Sequence, residues 1–374
     1  MSKISRSEVF DKNLNFLIGS GASFGLFPTL GLKLKNSKTK KPFSLEELAT
    51  HFEDDPKIHA QLFSWYIRKV IAPSSKFDLE DFFHSTVEEQ VIENYQKFLM
   101  TILTMLSKRP GQKKANIFTT NYDGLVAHVA EKMLNEGTAD FVLNDGGNGF
   151  RKRTLGIQNF SRYYRHQGVF DRHSVDVTQI NLLQLHGSVY WYKDGEDIEI
   201  SYDLARAEKR IDEVPTFSSD KLDKLLDNED KDENDLRKLD SELGEDKISK
   251  FWEAYDKLPI VNPTKWKFNE TVFEEHYYQS LRLLSYELEK PDTVFVVFGF
   301  SFADEHILNL VKRSLSNPTL KVFICCFNER NYEELNEKFR GHPTVELIQV
   351  DKNLTFEVLN DEVFSAELRT GIDE

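Results

Sequence analysis

Three short motifs hold the residue types that could do chemistry: Gly19-Ser20-Gly21-Ala22-Ser23, Thr120-Asn121-Tyr122-Asp123 and Leu185-His186-Gly187. Glycines let backbone amides come close to a phosphate, and the hydroxyls of Ser20 and Ser23 can add donors. Asn121 offers an amide that can orient a water or a hydroxyl. Asp123 offers a carboxylate acceptor, and His186 a base whose ordinary pKa lies near neutrality. Each motif also has a plain structural reading: a tight turn for the glycines, a helix N-cap for Asn121, the end of a strand for His186. The spacing is not the dinucleotide-binding G-x-G-x-x-G, because the third glycine, Gly25, falls one position late. The Lys-Ser/Thr of a P-loop is missing as well.

What joins the three motifs is their place at the ends of hydrophobic runs. Six short runs read as buried strands: Asn13–Ile18, Ala115–Phe118, Asn181–Leu185, Thr293–Phe298, Leu320–Phe327 and Val345–Val350. Helical spacing lies between them, at Leu45–Phe52, Val87–Leu106, Tyr122–Leu134, Asp304–Leu315 and Glu329–Phe339. This alternation predicts an α/β fold with a Rossmann-like, doubly wound parallel sheet of six strands. In such a sheet the loops at the carboxyl ends of the strands converge on one crevice. The three motifs would then meet there.

The whole chain, 1–374, reads as a single domain with two stretches that break the alternation. Residues 24–114 read as a helical insertion without a convincing strand. Its aromatic segment Gln61–Val70 reads as core. Residues 194–270 form a second insertion, with a charged segment at 218–250 holding 12 acidic and 7 basic residues. Two readings stand for that segment: two short amphipathic helices, from Leu222/Leu225/Leu226 and Leu236/Leu239/Leu243, or a solvated loop. Residues 316–374 form a C-terminal α/β part that completes the sheet.

The net charge of −14 disfavours a broad nucleic-acid surface, since phosphate binding needs clustered Lys and Arg. The local triplet Arg151-Lys152-Arg153 is left open, with a solvated loop as its plain reading. Only Cys325 and Cys326 are present, within a predicted strand, so no Cys-based zinc site is expected and no metal is predicted. With no membrane-length apolar run and no apolar leader near Met1, the expected setting is soluble and cytoplasmic, with no membrane partner.

The ordered set of Gly19–Ser23, Thr120–Asp123, Leu185–Gly187 and Gly299-Phe300-Ser301-Phe302-Ala303-Asp304 resembles the sirtuin family over about residues 13–330. That family carries a glycine–alanine–glycine–x–serine loop, a T-x-N-x-D segment, a catalytic histidine before glycine and a late glycine–serine ribose loop. The chain departs from it in two places. The four-cysteine zinc ribbon is missing, with the insertion 194–270 in its place. The arginine-bearing stretch after the glycine loop is replaced by Gly25–Gly31, where Pro28 matches the family's loop proline. The run 299–306 and the segment Val261-Asn262-Pro263-Thr264-Lys265 are similar to the sirtuin-like proteins of prokaryotic antiviral defence. Those resemble NAD hydrolases, and a chain of this length is similar to the partner of a HerA-type ATPase.

The resemblance implies NAD+ as substrate and its hydrolysis to ADP-ribose and nicotinamide. Gly19, Ser20, Gly21, Ala22 and Ser23 would cradle the pyrophosphate beside Pro28, and Gly299 and Ser301 would meet the adenosine ribose. Asp123 would hold the nicotinamide carboxamide. Asn121, next to Thr120, would place a water or the nicotinamide ribose, and His186 would bind the ribose hydroxyls and act as base. Asn121 and His186 are the expected catalytic pair. An unregulated NAD hydrolase would poison its cell, so a homo-oligomer and a HerA-type partner are expected to control it. Two other readings are an NAD-dependent protein deacylase and a non-catalytic NAD or ADP-ribose sensor or scaffold.

Overall fold

Six hydrophobic runs and one shorter segment become seven strands of a single parallel sheet. In the computed structural model, which describes residues 4–79, 85–109, 111–167, 174–217, 220–239, 243–261 and 272–365, the strands are β1 (Asn13–Ile18), β2 (Lys114–Thr119), β3 (Val142–Asn144), β4 (Gln179–Gln184), β5 (Thr293–Phe298), β6 (Lys321–Cys325) and β7 (Val345–Ile348). Their order across the sheet is β7-β6-β5-β1-β2-β4-β3. The expected six-stranded sheet is therefore corrected to seven. The added edge strand, β3, has three residues, too few to display an alternation. The fold is α/β and Rossmann-like in general form.

Both faces of the sheet are covered, as parallel strands require. On one face Phe16, Ile117, Leu182, Val296 and Phe323 pack under α1 (Thr86–Ser107), α2 (Leu125–Asn135) and the C-terminal segment around Phe356 and Phe364. On the other, Leu17, Phe118, Leu183, Phe295 and Ile324 pack under α3 (Val272–Glu289), α4 (Glu305–Ser314) and α5 (Glu329–Phe339). The abundant phenylalanines meet edge to face, as Phe16 and Phe98 do at 5.3 Å. Such pairs add about 0.5–1.5 kcal/mol beyond area burial. Cys325 and Cys326 are free, buried and divided between the two faces.

A polar ladder crosses this apolar sheet. Asn15, Asn116, Asn181 and Asn144 stand in register on β1, β2, β4 and β3. Asn116 Nδ2 donates to Asn15 Oδ1 at 2.8 Å, Asn181 Nδ2 to Asn116 Oδ1 at 2.8 Å, and Asn144 Nδ2 to Asn181 Oδ1 at 3.0 Å. All four are buried. A slipped strand would leave buried amides unpaired at about 1–3 kcal/mol each, so the ladder fixes order and register.

The stretch 24–114 does contain strands. Gly31–Lys35 and Pro42–Ser44 form an antiparallel hairpin in which Leu32 and Leu34 are buried and Lys33 points outward. The helix Leu45–His51 follows, started by a capping box between Ser44 and Glu47. This helix and Pro56–Tyr66 share a second core with helices of the 194–270 stretch, including Leu48, Phe63, Tyr66, Ile211, Leu222 and Phe251. Gln61–Val70 accordingly supplies core residues. Within 218–250, the described parts form helices Asp220–Leu226 and Glu233–Leu236 and the start of Glu245–Tyr255. Leu222, Leu226 and Leu236 turn inward. Helix α1, by contrast, lies on the central sheet and not in this second core.

The strand order sets the place of the site. From β1 the chain moves to β2 on one side, and from β5 it moves to β6 on the other. The carboxyl ends of the neighbours β1 and β5 therefore flank a topological switch point, where open α/β sheets bind ligands. No helix among the described residues is long and apolar enough to cross a membrane.

Candidate functional site

A cleft of about 1000 Å³ opens at the switch point. It is lined by Ser20, Gly21, Ala22, Ser23, Pro28, Thr120, Asn121, Asp123, His186, Gly299 and Ser301. Of the residues expected to form a site, Gly19 alone stands behind the lining. The loops come from β5, β1, β2 and β4, four adjacent strands.

The glycine loop is shaped first by its neighbour. Gly19 N–H donates to the Phe298 carbonyl and Gly21 N–H to the Gly299 carbonyl, each at 3.0 Å. A Cβ on Gly19 would lie 2.4 Å from the Gly299 oxygen, and one on Gly21 would lie 2.7 Å from the Gly299 Cα. Gly299 itself has φ +68°, a conformation that favours glycine. These glycines let the two switch-point loops touch backbone to backbone. The expected cradle is thereby reduced, because the amides of Gly19 and Gly21 are engaged inside the fold. The Ser20 hydroxyl has no partner among the described residues.

Ser23 is also committed. Its Oγ donates to Asp123 Oδ2 at 2.9 Å and accepts from Asn121 Nδ2 at 3.0 Å, and it lies 2.9 Å from the Tyr95 hydroxyl. A hydroxyl has one proton and two lone pairs, so Tyr95 must be the donor and Ser23 is saturated. In this arrangement it spaces Asn121 and Asp123, and its proton is given to Asp123. Tyr95 reaches it from α1, whose capping box of Ser85 and Glu88 sets the helix start.

The N-cap reading of Asn121 does not hold. Helix α2 begins at Leu125, three residues later than expected, and Asp123 Oδ1 accepts the Leu125 N–H at 3.1 Å. Asn121 is held instead by Thr119 Oγ1 and Ser23, and its Oδ1 is buried without a partner among the described residues. Buried polar atoms are almost always paired, so this oxygen is an acceptor in want of a donor. Burial pushes the Asp123 carboxyl up to about 6, against the pull of hydrogen bonds from Leu125, Ser23 and Asn121.

His186 follows β4, and Gly187, at φ +82°, turns the chain away behind it. Its Nε2 lies 3.0 Å from Asp304 Oδ2, while Asp304 Oδ1 caps α4 by accepting from His306 N–H at 2.8 Å and Ile307 N–H at 3.0 Å. Burial alone would raise the Asp304 carboxyl. The His186 hydrogen bond and charge, the Ile307 amide and His306 outweigh it and hold Asp304 below the usual range. An ionised carboxylate only accepts, so Nε2 carries a proton, and in the neutral form of the ring the lone pair is then on Nδ1. The rings of Tyr122 and Tyr277 flank the imidazole, at 6.4 and 6.3 Å between centroids. Tyr122 and the His186 backbone also clasp Val261, through its carbonyl at 3.2 Å and its N–H at 2.9 Å. The rest of the segment Val261–Lys265 lies outside the described residues.

Sequence reasoning gave no role to Asp304 or Tyr95. Asp304 closes the quoted run at 299–304, yet before a helical pattern it reads as an N-cap, and its link to His186 exists only in space. The far wall of the cleft, with Phe327, Asn328 and Arg330 at the start of α5, was also missed. Phe24, 68% exposed, and Val87, 56% exposed, add apolar surface to the lining. Among the described residues no three His, Cys, Asp or Glu side chains are grouped to hold a metal ion. The chain matches no family profile, and no curated protein matches it at a significant level.

Proposed function

We propose that the protein is a sirtuin-type NAD+ glycohydrolase. One observation carries this reading. His186, oriented by Asp304, and Asn121, whose side-chain oxygen is buried without a partner among the described residues, line one switch-point cleft. The cleft lies at the upper end of small-molecule sites, about 300–1000 Å³. Phe24 and Val87 suit the faces of flat rings, and Ser20, Gly299 and Ser301 suit phosphate and ribose.

In the proposed reaction the bond between ribose C1′ and the nicotinamide nitrogen breaks, and its electron pair neutralises the leaving pyridinium. A water adds to the oxocarbenium-like C1′ and gives up its proton to His186 Nδ1. Asn121 Oδ1 accepts from the water or a ribose hydroxyl, and Asp123 accepts from the carboxamide. ADP-ribose, nicotinamide and one proton result. Positioned groups of this kind each supply about a hundredfold to ten-thousandfold in rate. The sirtuin zinc ribbon that deacylases use has no counterpart, since the two cysteines are buried on opposite faces of the sheet. The proposal includes a role in antiviral defence by NAD+ depletion, with control by self-assembly and a HerA-type ATPase; that part rests on the resemblance alone.

The test is product analysis of NAD+ incubated with the purified chain, alone and with such an ATPase. Nicotinamide and ADP-ribose in equal amounts support the hydrolase. O-acetyl-ADP-ribose formed from an acetylated peptide would replace it with the deacylase, and binding without turnover in both samples with the sensor.

A further inference from the structure

We propose a second binding surface, for single-stranded nucleic acid, on the β3 edge of the sheet between residues 147 and 165. Residues 146–167 hold five Lys or Arg and no Asp or Glu, in a chain of net charge −14. Phe150 sits at the tip between the short strands Gly147–Asn148 and Arg153–Leu155 and is 103% exposed. Tyr163 and Tyr164 are 47% and 42% exposed.

The cations and the rings form one patch. Arg162 donates to Asn148 Oδ1 at 3.2 Å, which ties the Phe150 turn to the tyrosine pair. Lys114 Nζ lies 4.4 Å from the centre of the Tyr163 ring. Arg153 is held by Asp145 at 2.7 Å and Arg165 by Asp176 at 2.8 Å, and Lys152 meets Asp194. Arg151 and Arg162 have no carboxylate partner among the described residues. Two guanidiniums without a carboxylate partner among the described residues, of which Arg162 is held by Asn148, and the Lys114 ammonium, which also donates to the Phe160 carbonyl, thus accompany three exposed rings.

That combination matches the chemistry of an unpaired strand, whose bases stack on aromatic rings while its phosphates meet cations. A duplex hides its base faces. An acidic peptide would use the charges and leave the rings idle. The negative charge elsewhere on the protein repels a polyanion, so approach is steered to this edge. None of these residues lines the cleft, so a bound strand leaves the cleft open.

The test is fluorescence anisotropy of a labelled oligothymidine with the full chain, against a blunt duplex and polyglutamate. The expected result is preference for the single strand. Phe150→Ala weakens binding by about tenfold, the loss of one stacked base. The double variant Arg151→Gln, Arg162→Gln flattens the plot of log affinity against log salt by about 1.4, at ~0.7 per phosphate contact. These side chains are exposed, so melting temperature stays at the wild-type value. No binding, equal affinity for the duplex, preference for polyglutamate, or wild-type affinity in both variants would overturn the proposal.

Discussion

Replacing Asp304 by asparagine removes a charge and almost no volume. Asparagine caps helices as well as aspartate does, so α4 keeps its start. The change falls on the atom facing His186, which becomes an amide NH2. Two donors would then meet across the 3.0 Å gap. The ring must move its proton from Nε2 to Nδ1, which blocks the nitrogen proposed as base. Rotating the amide restores the acceptor only by turning its NH2 onto the His306 and Ile307 amides. The lost charge-assisted hydrogen bond is worth about 1.5–3 kcal/mol, and the lost base a factor of about a hundred to ten thousand in kcat. KM changes little, because the carboxylate is proposed to orient the ring and not to touch the substrate. The depressed Asp304 carboxyl also gives a stability contribution present above its unfolded pKa and lost as pH falls through its lower folded value; the asparagine variant lacks it. Steady-state nicotinamide release and thermal melting read both effects. A folded Asp304→Asn protein with wild-type kcat would refute the orienting role.

Other perturbations follow from the same geometry. Asp123 is raised to about 6, so between an unfolded pKa near 3.9 and 6 the folded state holds the extra proton and stability from this group falls as pH rises, by about 3 kcal/mol in all. Asp123→Asn should flatten that slope in melts from pH 4 to 7; an unchanged slope would contradict the burial argument. Gly21→Ala places a methyl 2.7 Å from the Gly299 Cα, and should cost about 1–3 kcal/mol and close the cleft to NAD+, measured by melting and by calorimetric titration. In the ladder, Asn116→Ala leaves Asn15 Oδ1 without its donor and should cost about 1–3 kcal/mol, while the double variant with Asn15→Ala costs less than the two singles added. Additive losses in denaturant unfolding would show that the two amides act independently.

The strands were legible where burial on both faces leaves a continuous apolar run, and β1 and β5 match their expected bounds. β4 begins two residues early because Gln179 is buried against Asn181, a polar pair that breaks the run. The hairpin at Gly31–Lys35 was lost among helical patterns, since its two buried leucines are as few as a strand can show. The asparagine ladder was invisible, because its members lie on four strands and each looks like a strand-edge polar residue. The candidate site was legible as a set of strand-end motifs. Its internal wiring was not. Ser23 reads as a phosphate ligand until Tyr95 is brought to it from 72 residues away, and Asp304 reads as a helix cap until His186 arrives.

The most direct measurement is the initial rate of nicotinamide release from NAD+ by the wild-type chain, His186→Ala and Asn121→Ala, each checked by melting and each in the assembly that gives the highest wild-type rate. The account predicts turnover in wild type and a loss of at least about a hundredfold in each folded variant. Wild-type rates in either variant would contradict the assignment of that residue, and no release by the wild-type chain in any assembly would contradict the enzyme.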